Sequence, residues 1–435
     1  MSKKNKLEKS NEKVKGLEGV DDVSPEKSKW WKMIQRAGEK TARMHHFHYV
    51  ETPVIEKAEL FERALGEDTK AANKKLFTFK AGTRTKMALR PDILIPIMRS
   101  YLEHQLGHFS FPLKAYAHGP VFIKNRKGEK RQFRKFGFQI IGGGSPVYDA
   151  QVVVAMIDLL GRLKIRDPVL KVNIAGCREC RPEFRKKLKH YYRYHKDEIC
   201  KDCKKRYETD ILRLLRCDKD KCKKVMEDAP NILDHLCDEC EKYFQDILEL
   251  IEDNEINYIP DPYLLGDKDY HNRLVFEIYP EEGCDTPVVT GGREDYLSER
   301  IGGPSLDATG AVLDLDSLVK YLRSNGFTPK IGRRKKKVFF IAIGGEAKKS
   351  SITLMNRFRY RGVVVLESME NNTLKTQLKI AERSDAGLVL IYGQKEVFED
   401  TVMIRELDSG SQESIPLEKM VDEAKRRLKK INSRN

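Results

Sequence analysis

The 435 residues suffice for about three domains at roughly 150 residues each, and an apolar share of 40% allows packed cores. A net charge of +16 with a pI near 9.2 argues against basic partners and favours a polyanion, nucleic acid first, unless the lysines only solvate the surface. No apolar run approaches the ~20 residues of a membrane span, and the opening MSKKNKLEKSNEKVK has no apolar segment behind it, so neither a membrane protein nor a signal peptide is expected and a cytoplasmic protein is.

Residues 1–16 read as a disordered basic arm. Trp30, Met33, Ile34 and Ala37 recur at helical spacing, which predicts a helix over 26–45. His45, His46 and His48 follow it and read as capping or partly buried histidines rather than a metal site. Residues 49–55 are strand-like but broken by Pro53, and further strands are expected over 76–79 and 87–89. A helix is predicted over 93–104. Two strands, 114–122 and 133–141, flank the polar loop IKNRKGEKRQ, which gives a long antiparallel hairpin with a basic tip. GGG at 142–144 lacks the GxGxxG pattern of a phosphate loop and reads as a turn. A helix over 148–163 follows.

Residues 171–247 are charged, helical in pattern, and hold eight of the nine cysteines. Strands return at 273–278 and 286–290, then a glycine-rich turn, GGRED, then a helix over 313–322. Antiparallel strands flanked by helices make an α+β core, 17–170 and 248–328, with the cysteine-rich stretch inserted in it. The basic run RRKKK lies in a linker, 329–337. Beyond it VFFIAIGG, VVVLES and GLVLIYG alternate with helical stretches 347–360 and 373–384, which predicts a parallel α/β domain over 338–435. TVMIREL adds one strand, and Leu417, Met420, Val421, Ala424 and Leu428 form one face of a last helix.

Cys177–Cys180, Cys200–Cys203 and Cys237–Cys240 are CxxC pairs; Cys217 and Cys222 form a wider one. In a large chain without a secretion signal, such spacing argues metal rather than disulfides. Zinc takes four thiolates in a tetrahedron, so eight cysteines suit two structural ions. The preferred grouping is Cys177, Cys180, Cys237 and Cys240 in one site, and Cys200, Cys203, Cys217 and Cys222 in the other. Buried free thiols are the alternative. Cys284 stands alone and reads as structural.

Several stretches carry a family resemblance in order and spacing. GVDDVSP (19–25), TPVIEKAELFERALGEDT (52–69), LFTF (76–79), ALRPD (88–92), VFEIYP, GGRED (291–295), NNTLKTQLKIAERSDAGLVLIYGQKEV (371–397) and MIRELDSGSQESI (403–415) resemble the histidyl-tRNA synthetases. The resemblance implies a class II synthetase core, a helical insertion and a C-terminal anticodon-binding domain, assembled as a homodimer with Pro53 at its interface. It also implies tRNA as partner, and a similar cysteine pattern occurs in some bacterial members.

The reacting positions depart from the family. Its motif 2 reads Phe-Arg-x-Glu; this chain has Phe122-Ile123-Lys124-Asn125, with Lys124, Arg126 or Arg131 as partial substitutes. Arg-Gly-Leu-Asp-Tyr-Tyr becomes Gly266-Asp267-Lys268-Asp269-Tyr270-His271, and Gly-x-Glu-Arg of motif 3 becomes Asp314-Leu315-Asp316-Ser317. Leu-Arg-Pro-Glu leaves Arg90 and Asp92, Gly-Gly-Arg-Tyr-Asp leaves Arg293 beside Glu294, and a glutamate of motif 2 appears as Gln139. Activation brings ATP phosphates onto a carboxylate, and each fixed cation there is worth on the order of 100-fold in rate. The expectation is a pseudoenzyme that binds tRNA or a tRNA-like RNA through Lys124, Arg126, Lys127, Lys130 and Arg131 of the hairpin tip and Arg405 of the last domain, with little aminoacylation. The first alternative is an active histidine–tRNA ligase using ATP and magnesium. The second is a regulatory subunit of histidine metabolism.

Overall fold

The computed structural model describes residues 13–65, 76–80, 82, 84–125, 129–266, 268, 270–329, 335–370 and 373–434. The chain forms two compact units divided after Pro329. The residues expected to form the basic arm lie mostly outside the described ones, as do Arg126, Lys127, Asp267 and Asp269.

The first unit opens with α1 (Pro25–Met44), capped by Ser24, whose side chain accepts from Lys27 N at 3.3 Å, with Pro25 in the first turn. Strands β1 (His48–Tyr49) and β2 (Ile55–Lys57), helix α2 (Ala58–Leu65), strands β3 (Thr78–Phe79) and β4 (Met87–Leu89) and helix α3 (Leu94–Glu103) follow. The strand expected over 49–55 is thus split, because Pro53 cannot donate to a ladder. The predicted hairpin is β5 (Leu113–Phe122) and β6 (Gln132–Ile141), in register from Leu113 opposite Ile141 to Phe122 opposite Gln132. Helix α4 (Pro146–Arg162) and strand β7 (Val169–Ile174) lead into the cysteine module. Its helices are α5 (Cys180–Tyr194), α6 (Lys201–Thr209), α7 (Asp220–Glu227) and α8 (Asp238–Asp253), with a 3-10 turn at Ile211–Arg216. The core resumes with β8 (Tyr258–Pro260), β9 (Asn272–Tyr279), β10 (Val289–Arg293), α9 (Tyr296–Arg300), β11 (Ala308–Asp314) and α10 (Leu315–Ser324).

The main sheet runs β1-β5-β6-β11-β10-β9-β7-β8, antiparallel except for its two edge pairs, and β2-β4-β3 form a small second sheet. Phe136, Phe138, Phe276 and Ile278 of the main sheet are buried with Val152, Met156 and Leu159 of α4. The cysteine module has a core of its own, built on Phe184, Leu188, Tyr192, Leu214 and Ile232.

Three sequence expectations are corrected here. Residues 171–174 belong to β7 of the core sheet, so the module starts later than 171; Lys171 and Asn173 masked the strand. The GGR of GGRED is not a turn but the end of β10: a Cβ on Gly291 would stand 2.5 Å from the Phe276 ring, and one on Gly292 2.7 Å from Leu274 O. Leu313 ends β11 instead of starting the helix, which begins at Leu315. The strand went unread because Ala308, Thr309, Gly310 and Ala311 are too small to show an alternation.

The second unit comprises β12 (Lys337–Ala342), α11 (Gly345–Tyr360), β13 (Val365–Glu367), α12 (Leu374–Glu382), β14 (Ala386–Tyr392), α13 (Gln394–Glu399), β15 (Thr401–Glu406), β16 (Gln412–Pro416) and α14 (Met420–Arg434). Its sheet order is β13-β12-β14-β15-β16; the first three are parallel, as expected of an α/β unit, and the last two antiparallel. Val338, Phe340, Leu388 and Leu390 meet Leu354 and Phe358 of α11 and Met420 and Ala424 of α14. Among the described residues, no helix is long and apolar enough to cross a membrane.

Candidate active site and cysteine clusters

The sheet and the cysteine module enclose a cleft of about 540 Å³. Ile123, at the end of the hairpin, lines it beside Asp92 and Ile93 at the start of α3 and Val312 on β11. The position where the family pattern has the motif 2 arginine therefore does face the cleft, and it is aliphatic.

The surviving charges of the family pattern are mostly spent on the protein itself. Arg90 is buried; its Nη1 donates to Thr52 O at 2.9 Å and to Thr52 Oγ1 at 3.2 Å, and its Nε donates to Pro120 O at 3.0 Å. It ties the chain before β2 to β5. Arg293 is fully buried, with Nη1 3.0 Å from Asp149 Oδ2 and Nε 3.1 Å from Asp295 Oδ1, while Nη2 donates to Gly143 O. Burial works against its charge, but Asp149 and Asp295 outweigh that and hold the guanidinium above its ordinary value. Both guanidiniums are thus bonded within the protein.

Asp92 caps α3, its Oδ1 accepting from Leu94 N at 2.7 Å and Ile95 N at 3.1 Å, and its Oδ2 pairs with Lys268. Burial would raise its carboxyl; Lys268 and the two N–H donors outweigh burial and lower it. Gln139 donates to Glu294 Oε2 at 2.6 Å, both side chains being buried. A glutamate at 139 would put two carboxylates in that contact; the amide keeps it attractive. Gly266 has φ +66°, and a Cβ there would stand 2.7 Å from His271 Nδ1 and 2.8 Å from Val275 Cγ1, so this backbone has no room for an arginine. Ser317 donates its N–H to Asp314 Oδ1 at 2.9 Å in the first turn of α10 and lines a different cavity, of about 560 Å³, with Trp31 and Lys320.

The hairpin tip differs from its sequence reading. Lys124 is exposed, but Lys130 pairs with Asp316 Oδ1 at 2.6 Å. The Arg131 main chain bonds Gly19 O, and its Nη1 reaches Glu18 O at 3.4 Å. These two candidates for RNA contact are thus engaged within the protein. Asn125 bridges the loop through Lys130 O at 2.7 Å. In the second unit Arg405 lies half-buried on β15, opposite Gln412.

The expectation of a cleft poor in positive charge is corrected by residues outside the family motifs. Arg206, Arg213 and Arg216 of the cysteine module line it, with Lys135 and Lys268 from the core. The sequence carried a signal for them: three arginines interleaved with the cysteines at 203, 217 and 222.

The eight paired cysteines gather into two groups, Cys177, Cys180, Cys237 and Cys240, and Cys200, Cys203, Cys217 and Cys222, the sulfurs of each within 4.8 Å of one another. These are the groupings that spacing favoured. Four sulfurs ~2.3 Å from one ion lie about 3.8 Å apart. The sulfurs of Cys177 and Cys180 are 3.6 Å apart, Cys177 and Cys237 3.8 Å, Cys180 and Cys237 3.4 Å, and Cys200 and Cys217 4.0 Å. That spacing fits a tetrahedral ion and is far longer than an S–S bond. Backbone N–H groups point at the sulfurs: Cys237 N to Cys180 Sγ at 3.2 Å and Cys200 N to Cys222 Sγ at 3.2 Å. Burial works to raise the Cys200 thiol, yet N–H donation and its thiol neighbours carry it down to about 6, while burial and the same crowding push Cys203 and Cys240 up. A cation would relieve that conflict.

The chain was compared with known proteins. The model of the family described as histidyl-tRNA synthetase matches residues 19–318, and the anticodon binding domain model matches 337–427. The histidine–tRNA ligase of Thermosipho melanesiensis is 34% identical over 401 residues, covering 92% of this chain and 95% of its own. That of Syntrophotalea carbinolica is 32% identical over 408 residues, covering 93% and 96%. Among solved structures, the apo histidyl-tRNA synthetase of S. aureus aligns with a TM-score of 0.77 at 27% identity, over 94% of this chain and 99% of that one. An ATP phosphoribosyltransferase regulatory subunit/histidyl-tRNA synthetase from Bacillus halodurans shares the fold, with a TM-score of 0.59 at 19% identity over 87% of this chain and 98% of that one.

Proposed function

The chain belongs to the histidyl-tRNA synthetase family, and from that premise we infer that it binds tRNA or a tRNA-like RNA while activating histidine slowly or not at all. The observation that carries this reading is where the charges of the family motifs go. Arg90 and Arg293 are consumed by backbone oxygens and buried carboxylates, Asp92 by Lys268, and the motif 2 position is Ile123. Adenylate formation needs guanidinium groups aimed at charge that develops on the α-phosphate. Cations that already bond the protein cannot supply this without breaking those bonds.

RNA binding is supported by the anticodon-binding domain match and by the net charge of +16. The partner, a homodimeric state and a cytoplasmic setting are part of this proposal. So are two zinc ions, one on each cysteine group, holding the module folded without taking part in chemistry.

A second reading has a specific observation behind it. The relatives named histidine–tRNA ligase match nearly the whole chain at 30–34% identity, which favours a working ATP-dependent ligase over an inactive one. Whole-chain identity averages over about 400 positions whereas activation rests on a handful, so the relatives favour the ligase and the bonded arginines favour the inactive reading. Filter binding of histidine tRNA across a salt series, run beside a charging assay on the same preparation, separates the readings. The proposal expects an affinity that falls steeply with salt and no histidyl-tRNA above background. Charging at a rate typical of synthetases contradicts it, and absence of salt-dependent RNA binding contradicts both readings.

A further inference from the structure

The cleft's lining has a distribution of charge that the family motifs do not explain. Five cations, Lys135, Lys268, Arg206, Arg213 and Arg216, face it, against Asp92 as the one carboxylate among its described lining residues. Three of the five have partners. Lys268 pairs with Asp92, Lys135 with Asp314 at 2.5 Å, and Arg213 with Asp210 at 2.8 Å. Neither Arg206 nor Arg216 forms an ion pair among the described residues, and the carboxylate that Arg206 influences, Asp202, pairs with Lys219. Two guanidinium groups held over one concavity repel each other, and such an arrangement is favourable when an anion lies between them.

Their placement is built rather than incidental. Arg206 follows Cys203 by three residues on α6, and Arg216 directly precedes Cys217, so both hang from the second cysteine group. Leu214 and Leu215 anchor the intervening 3-10 turn in the module's core. The core contributes apolar Leu65, Leu76, Ile93, Ile123 and Val312 to the lining, beside Thr290, Asp92, Lys135 and Lys268. Apolar side chains and guanidiniums lining one cavity of about 540 Å³ match a heterocyclic base joined to phosphates.

We propose that Arg206 and Arg216 of the cysteine module hold the phosphates of a nucleotide in this cleft. The module thereby supplies from outside the sheet the cations that the core positions Ile123, Gly266 and Ser317 do not. The site is independent of whether activation follows, because binding and turnover are read separately.

The test is calorimetric titration of the full-length protein with magnesium ATP and, in a separate arm, with inorganic triphosphate. Both probes should bind the unaltered protein. Arg206→Gln with Arg216→Gln should weaken both by about 100-fold, taking on the order of tenfold for each charge-assisted contact. Arg359→Gln, an exposed arginine on α11, should leave both affinities unchanged. Thermal unfolding of the double variant should match the unaltered protein, since neither side chain is buried. Failure of the unaltered protein to bind either probe overturns the proposal, as does unchanged affinity in the double variant. A third arm uses a short single-stranded RNA; dependence on the two arginines for RNA alone, with none for ATP or triphosphate, also overturns it.

Discussion

The arginines of the sheet core and those of the cysteine module are in different states. Arg293 of the core is fully buried between Asp149 and Asp295; Arg216 of the module is exposed at the cleft edge. The core arginines hold the fold, and their removal should show up as lost stability. The module arginines contribute little to the fold and stand ready for an anion. What separates a structural charge from a binding charge is thus its partner list, which a sequence motif does not display.

That contrast can be broken experimentally, beginning with the scaffold of the module. Cys203→Ser removes one thiolate from the second group, and structural zinc sites bind with apparent free energies of about 10–16 kcal/mol. Metal content should fall from two ions per chain to one, and amide protection across α6 and α7 should collapse while that of the main sheet persists. An unchanged metal content means that the thiols are merely packed together.

In the core, Arg293→Met leaves Asp149 and Asp295 as uncompensated buried carboxylates. The expected cost is about 4 kcal/mol in urea unfolding. A loss below about 1 kcal/mol means that the guanidinium is not what neutralises them.

Lys268→Met tests a pair at the cleft's edge and should cost about 2 kcal/mol at neutral pH, less than Arg293 because the site is not closed to water. It carries a pH signature. Asp92 stands below its ordinary value in the folded protein, so its share of stability is fully present above the usual carboxylate range near 4 and is lost as pH falls through the depressed value. In the variant, burial acts on Asp92 without Lys268, so its folded-state value moves back up and the acid-dependent loss should shrink. Urea midpoints between pH 3 and 7 read this directly; superimposable profiles contradict the pairing.

At the small end, Arg216→Gln should change stability by no more than about 0.5 kcal/mol, because an exposed side chain without an acidic partner is being shortened. A larger destabilisation places it with the core arginines and removes the contrast.

Much of this was legible in the chain itself. The hairpin β5–β6 shows in the alternation of Lys114–Phe122 and Phe133–Ile141, and the cysteine groups in CxxC spacing, because both are local signals. Strand β11 is hidden by small residues, and the end of β10 reads as a turn because glycines that admit Phe276 and Leu274 O look the same in sequence as glycines that bend. The site was harder to read. Losses at Ile123, Gly266 and Ser317 could be seen by position, whereas the burial of Arg90 and Arg293 and the arrival of Arg206, Arg213 and Arg216 depend on contacts across long stretches of chain. Lys130 and Arg131 read as an RNA-facing tip and are bound instead to Asp316 and to Glu18 and Gly19.

The account stands most directly on histidine-dependent exchange of pyrophosphate into ATP by the full-length, metal-loaded protein. It predicts ATP binding with exchange at or near background, since Arg90 and Arg293 of the core motifs are bonded within the protein. Rapid exchange that requires histidine would contradict it.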